Sequence, residues 1–189
     1  GVMRSRLFFT GKVNDNWNYQ GALQNIQNFT NDAGDEKTEF QRAFLEGRIG
    51  DIRLTLGRYH SFVADGNLYD HRVDGMKMAF GKDLKSELEY GKLAYVDGGK
   101  LGDKFYRFTL SGTTGAWEWE SNYIHIDNLL KLQGQDDKIW TLGTKARLGK
   151  AYASAMYLKS DVEVADKDNG YVFGVGYAGA KQNEVGSWG

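Results

Sequence analysis

The chain has 189 residues with no Cys and no Pro, and it carries 25 Gly, 5 Trp, 11 Tyr and 10 Phe. The missing Cys excludes disulfides, thiolate zinc sites and cysteine nucleophiles. The 14% aromatic content argues against disorder, and 24 Lys+Arg against 25 Asp+Glu gives no support to a nucleic-acid partner. Mean hydropathy is −0.56, and no apolar run approaches the roughly 18 residues of a membrane-spanning helix. Helical membrane proteins are thereby excluded. A transmembrane β-barrel is not, because its alternating strands average to a polar composition.

Alternation is the strongest signal along the chain. Over residues 3–13, Met3, Leu7, Phe9 and Val13 take one face, and Arg4, Arg6, Thr10 and Lys12 the other. Residues 42–49 set Ala43, Leu45, Gly47 and Ile49 against Arg42, Phe44, Glu46 and Arg48. The apolar face continues as Ile52, Leu54 and Leu56, with Arg53 and Thr55 opposite. Residues 104–112 set Tyr106, Phe108 and Leu110 against Arg107, Thr109 and Ser111. Residues 138–148 set Trp140, Leu142, Ala146 and Leu148 against Thr141, Lys145 and Arg147. A period of 3.6 would mix these sets; a period of 2 separates them.

Turn chemistry agrees with that register. Gly50-Asp51 and Gly149-Lys150 fit two-residue hairpin loops, and across the first of them Ile49 faces Ile52 and Arg48 faces Arg53. Other short connections fall at Asn14-Asp15-Asn16, about 81–86, Thr113-Thr114-Gly115 and about 180–185. Longer polar ones fall at about 27–37, 60–71, 97–103, 127–137 and 160–168. Strands of about 9–11 residues, with short turns at one rim and long loops at the other, describe an antiparallel transmembrane β-barrel. The reading is about 11 strands, with a twelfth beginning near Trp188. Trp17, Trp117, Trp119 and Trp188 all follow short turns. With Tyr19 they fit a membrane-interface aromatic belt. The competing reading is a soluble or surface β-sheet module binding glycan or wall polymer, with Trp as stacking platforms gathered in a groove.

Three runs carry a resemblance. Arg4-Ser-Arg-Leu-Phe-Phe-Thr-Gly-Lys-Val-Asn-Asp-Asn-Trp17 resembles an early hairpin of bacterial outer-membrane porins. So does Gly50-Asp-Ile-Arg-Leu-Thr-Leu-Gly-Arg58, with Val73-Asp-Gly-Met-Lys-Met78 after it. Lys181-Gln-Asn-Glu-Val-Gly-Ser-Trp188 looks like a late periplasmic turn. The likeness is closest to the S-layer-homology-linked (OmpM-type) porins of diderm Firmicutes. It implies a bacterial outer-membrane location, passive diffusion of small polar solutes and ions without cofactor or catalysis, and tethering to cell-wall polymer through an N-terminal segment. Residues 1–189 then read as one incomplete porin barrel domain. Both ends fall mid-pattern, and the chain is expected to be a mature fragment whose wall-binding segment and closing strands lie elsewhere. By family analogy the whole barrel would have about 16 strands and form a homotrimer in outer-membrane lipid.

The inward set expected to line the pore is Arg4, Arg6, Lys12, Arg42, Glu46, Arg48, Arg53, Lys77, Arg107, Glu118, Glu120, Lys145 and Arg147. Charge on the lipid face would cost about 2–4 kcal/mol at the midplane. The basic surplus predicts a weak anion preference beneath an acidic mouth. His60, Asp65, Asp70 and His71 are candidates for a loop narrowing the pore. They could ligate a divalent metal, but their spacing matches no ligand motif, and no metal is expected. Ser121 and His125 suggest an outer-wall hydrolase, yet four apart on a strand they stand about 13 Å apart, and no Gly-x-Ser-x-Gly elbow is present. Glu118 and Glu120 could act as a glycosidase pair; carboxylates paired with lumen arginines are the ordinary arrangement. Gly174, Gly176 and Gly179 lack the following helix of a phosphate loop and suit a curved strand or a bulky neighbour.

Overall fold

The computed structural model describes residues 1–30, 36–94, 104–129, 135–164 and 167–177. They form eleven strands: β1 (Val2–Asn14), β2 (Trp17–Asn28), β3 (Glu36–Ile49), β4 (Ile52–Val63), β5 (Tyr69–Phe80), β6 (Leu84–Leu93), β7 (Lys104–Thr114), β8 (Trp117–Leu129), β9 (Gln135–Leu148), β10 (Ala151–Val164) and β11 (Lys167–Tyr177). One sheet holds them in chain order, with β1 and β11 as its ends among the described residues. The ladders β1–β2 through β4–β5 and β8–β9 through β10–β11 are antiparallel. The chain divides into two compact units: Gly1–Phe80 with Leu88–Phe105, and Gly81–Glu87 with Tyr106–Gly189. The twelfth strand and the turn expected near 180–185 lie outside the described residues.

Glycine opens the tight turns for a physical reason. Gly50, Gly115 and Gly149 have φ of +59°, +60° and +62°, a left-handed conformation that costs glycine almost nothing. At the first loop position it produces the turn whose twist matches two right-twisted strands. The register follows as the polarity pattern requires: Ile49 pairs Ile52, Arg48 pairs Arg53, and Leu148 pairs Ala151.

A second use of glycine is side-chain accommodation. A Cβ at Gly11, Gly21, Gly47 or Gly176 would run into the rings of Tyr19, Phe9, Trp17 or Tyr152 respectively, and one at Gly112 would reach Trp119 at 3.0 Å. The aromatic ring lies down over its glycine partner on the neighbouring strand. Gly176 is thus explained by Tyr152, in keeping with the bulky-neighbour reading.

The strands run longer than the apolar pattern alone suggests. The connection expected at about 60–71 is a turn of residues 64–68, and the one expected at 127–137 falls largely within β8 and β9. The reason lies in cross-strand polar pairs that carry the ladder past the last apolar position. His60 pairs Arg72, Ser61 pairs His71 and Phe62 pairs Asp70, while His125 pairs Lys138 and Lys159 pairs Asn169. In β3 the partner of β2 shifts from Arg42 to Phe40 between Ala22 and Leu23, which leaves Gln41 as an extra residue in the ladder.

Candidate functional site

Period-2 alternation turns each unit into a two-faced wall. In the first unit, ladder partners share a face. Arg4, Arg6 and Lys12 stand with Ile26, Gln24 and Asn18. Asn18 stands with Glu46, which pairs Thr55, which pairs Lys77. Arg42, Arg48 and Arg53 belong to the same face. It is not uniformly polar: Phe44 meets Tyr59 edge-on at 6.4 Å, and the Lys77 Nζ lies 5.5 Å from the Tyr59 ring centre. Arg6 Nε donates to Gln24 Oε1 at 2.6 Å. Among the described residues, Arg4, Lys12, Arg42, Arg48 and Arg53 have no carboxylate partner.

The second unit buries its polar face more deeply. Arg107, 5% exposed, forms an ion pair with Glu87. Its Nη1 donates to Thr109 Oγ1 at 2.9 Å and Asn122 Oδ1 at 3.4 Å. Thr109 Oγ1 donates to the same Asn122 oxygen at 2.6 Å, and Asn122 Nδ2 donates to Glu120 Oε1 and Thr141 Oγ1 at 2.8 and 3.0 Å. Arg147 Nε meets Glu118 Oε1 at 2.6 Å, and Lys145 Nζ lies 4.4 Å above the Tyr152 ring. Each buried donor here meets an acceptor, as burial demands. Glu118 pairs with an arginine, Arg147, whereas Glu120 accepts from the Asn122 amide.

The opposite face of the second unit is apolar and open. Trp117, Leu142, Tyr171, Phe173 and Val175 are exposed, Phe173 at 78%. On β9, Leu148, Ala146, Thr144, Leu142 and Trp140 carry no charge, a span of about 27 Å at 3.4 Å per residue. Charge begins at its end, where Lys159 stands beside Trp140, in Lys138–Asp161 at 3.6 Å and Lys159–Asp168 at 3.4 Å, with Asp127 2.8 Å from His125. A soluble protein would hide such a band; a bilayer core about this thick would cover it.

No family model matches the chain, and no curated relative does. Solved structures do. Salmonella typhi OmpF, solved in complex with daunomycin, superposes with a TM-score of 0.50 at 8% identity over 93% of this chain and 78% of that one. The fold is that of an outer-membrane β-barrel. A trimer form of Vibrio cholerae OmpT, described as an outer membrane protein, gives a TM-score of 0.46 at 14% identity over 94% of this chain and 82% of that one. The antiparallel sheet, with β1 and β11 as its ends, corresponds to part of such a barrel.

Within the barrel sheet, the expected aromatic belt divides. Trp17 and Tyr19 lie on the apolar face of the first unit, over Gly47 and Gly11. Trp117 and Trp119 stand on the apolar face of the second, opposite Ala146 and Thr144. Trp188 lies outside the described residues. The sequence reading missed a second aromatic group on that face, toward the charged end. Tyr123 meets Trp140 at 4.4 Å, Tyr106 meets Tyr123 at 6.1 Å and His125 at 4.8 Å, and Tyr157 meets Tyr171 at 5.1 Å. Its signal was cross-strand pairing, visible only once β8 is laid against β9.

The loop-borne constriction needs correction. His60 lies on β4, and Asp70 and His71 on β5; only Asp65 is in a turn, with φ of +51°. A connection of five residues is too short to fold inward as a constricting loop. His60 Nε2 and Asp70 Oδ1 lie 2.6 Å apart on the opposite face from Tyr59 and Ser61. On that same face Arg58 grips Asp74 with two contacts of 2.6 Å. Ser121 pairs Leu142 on the apolar face, while His125 is occupied by carboxylates and the Tyr106 ring.

Proposed function

We propose that this chain forms part of the wall of an outer-membrane porin through which small hydrophilic solutes and ions diffuse passively. The observation that carries the reading is the two-faced sheet. A buried, hydrogen-bonded polar face fits a water-filled lumen, and an uncharged aromatic-edged face fits lipid. The residues from Arg4 to Arg147 on the polar face line the path, and no catalytic step or cofactor is involved. Liposomes loaded with protein from the complete reading frame should swell in sugars of graded size, fast for small ones and slowly for large. Swelling no faster than in protein-free liposomes refutes the reading.

The path weakly favours anions. Arg48 and Arg53 are directly paired across β3–β4 and exposed, whereas Arg107 and Arg147 are neutralised by Glu87 and Glu118. Two uncompensated arginines facing one another are unfavourable in isolation, and a passing anion relieves them.

The protein self-associates in the outer membrane, as a homotrimer by the porin resemblance. The support is the Arg58–Asp74 pair on the apolar face of the first unit. There β4 is uncharged only from Ile52 to Leu56, about 14 Å. Charged groups so soon after the apolar start are costly against lipid and acceptable against protein. Tethering to cell-wall polymer rests only on the likeness of the porin runs at residues 4–17, 50–58, 73–78 and 181–188 to the OmpM-type porins, which implies a separate N-terminal wall-binding segment.

A further inference from the structure

The geometry points to a divalent transition-metal site, Zn²⁺ by its donor set, formed by His125, Asp127 and Asp136 at the charged end of the β8–β9 ladder. His125 and Asp127 are two apart on β8 and share a face. Asp136 comes from β9, two residues before Lys138, the ladder partner of His125, where the register shifts beyond the Ile126–Asp137 pair. One donor atom from each residue lies within 4.8 Å of the other two. His125 Nε2 is 2.8 Å from Asp127 Oδ1 and 3.9 Å from Asp136 Oδ2. Around a tetrahedral zinc ion with bonds of 2.0–2.1 Å, ligand atoms stand about 3.3 Å apart. The two histidine distances bracket that value, so small side-chain rotations complete the geometry.

Two further features set this group apart from a chance meeting of surface acids. The imidazole is held in place: Tyr106 stacks on it at 4.8 Å and 14°, and the side chain is 13% exposed. Its Nδ1 is buried with no hydrogen-bond partner, so Nε2 makes all of the ring's polar contacts, and those are to the carboxylates. The second feature is the direction of Lys138. Lys138 shares the face but is turned to Asp161, which accepts from its backbone N–H at 2.8 Å and faces its Nζ at 3.6 Å. Carboxylate oxygens within 4.8 Å of one another repel, and a bound cation converts that repulsion into attraction. One imidazole with two carboxylates suits zinc better than magnesium or calcium, which prefer all-oxygen shells. Asp127 and Asp136 are half-exposed, which leaves coordination positions open to water. The ion would staple β8 to β9 at the root of their connection, just beyond the Tyr106–Tyr123–Trp140 group.

The test is competitive titration of Zn²⁺ against a fluorescent chelator, with protein from the complete reading frame folded in detergent. The site predicts one equivalent bound. His125→Asn and Asp127→Asn should each weaken binding at least tenfold. His60→Gln and Asp168→Asn should leave it unchanged. Unheated gel mobility equal to the parent protein shows that each variant is folded. Absence of binding at micromolar free Zn²⁺ overturns the assignment, as does equal affinity in folded His125→Asn. Loss of binding in His60→Gln with His125→Asn unaffected overturns it too.

Discussion

Asn122 shows how a single side chain organises a wall. Its oxygen accepts from Thr109 and Arg107, and its nitrogen donates to Glu120 and Thr141. Truncation strands buried groups of several neighbours at once, and each unsatisfied group costs about 1–3 kcal/mol. Asn122→Ala should therefore lower unfolding free energy in detergent by more than a lone hydrogen bond is worth, whereas Asn169→Ala at an exposed position should have little effect. Equal effects of the two would contradict a network at Asn122. A second residue-scale prediction concerns current. Replacing Arg48 and Arg53 together with Gln should move the reversal potential in a potassium chloride gradient toward cations, more so at low salt where screening is weak. An unchanged potential would mean that these two do not face the conducting path. The sequence reveals which face each of these residues takes, because alternation is strict around them. It does not reveal partners. Nothing in the spacing of Glu87 and Arg107, or of Arg58 and Asp74, marks them as bound, since their strands meet only after folding.

Strand existence is legible because the apolar faces repeat at period 2 and glycine marks the tight turns. Strand ends are less so. His60, Asp70 and His71 look like loop residues by polarity, yet they sit in a ladder, held by backbone pairing with one another's neighbours. The tightest element-level constraint is the aromatic ring lying on glycine. Gly47→Val would drive a branched side chain into Trp17 and should destabilise the β2–β3 hairpin by about 1–3 kcal/mol through overpacking. Gly170→Val, where a Cβ meets nothing within 4 Å, should be tolerated far better. Urea titrations of the two variants compare them directly. Similar losses would show that the β2–β3 pairing does not depend on Trp17 seated over Gly47.

At the scale of the molecule, composition alone is misleading: a mean hydropathy of −0.56 and balanced charge suggest a soluble protein. The balance hides a segregation by face. In the second unit the buried hydrogen-bonded network occupies one face, and residues such as Leu142, Phe173 and Val175 occupy the other, open face, with ions only at its end. That segregation was legible from alternation, as were the eleven strands of the described residues. The charged patch at Arg58 and Asp74 was not, because Gly57 and Gly75, which face each other across β4–β5, mark the place where an apolar stripe gives way to ions without any turn signal. The most direct measurement of the central claim is single-channel recording in a planar lipid bilayer, using protein from the complete reading frame folded in detergent. The account predicts stepwise, ohmic conductance that needs no cofactor or energy source. A protein that folds without detergent, stays in water and inserts no conducting steps would contradict it.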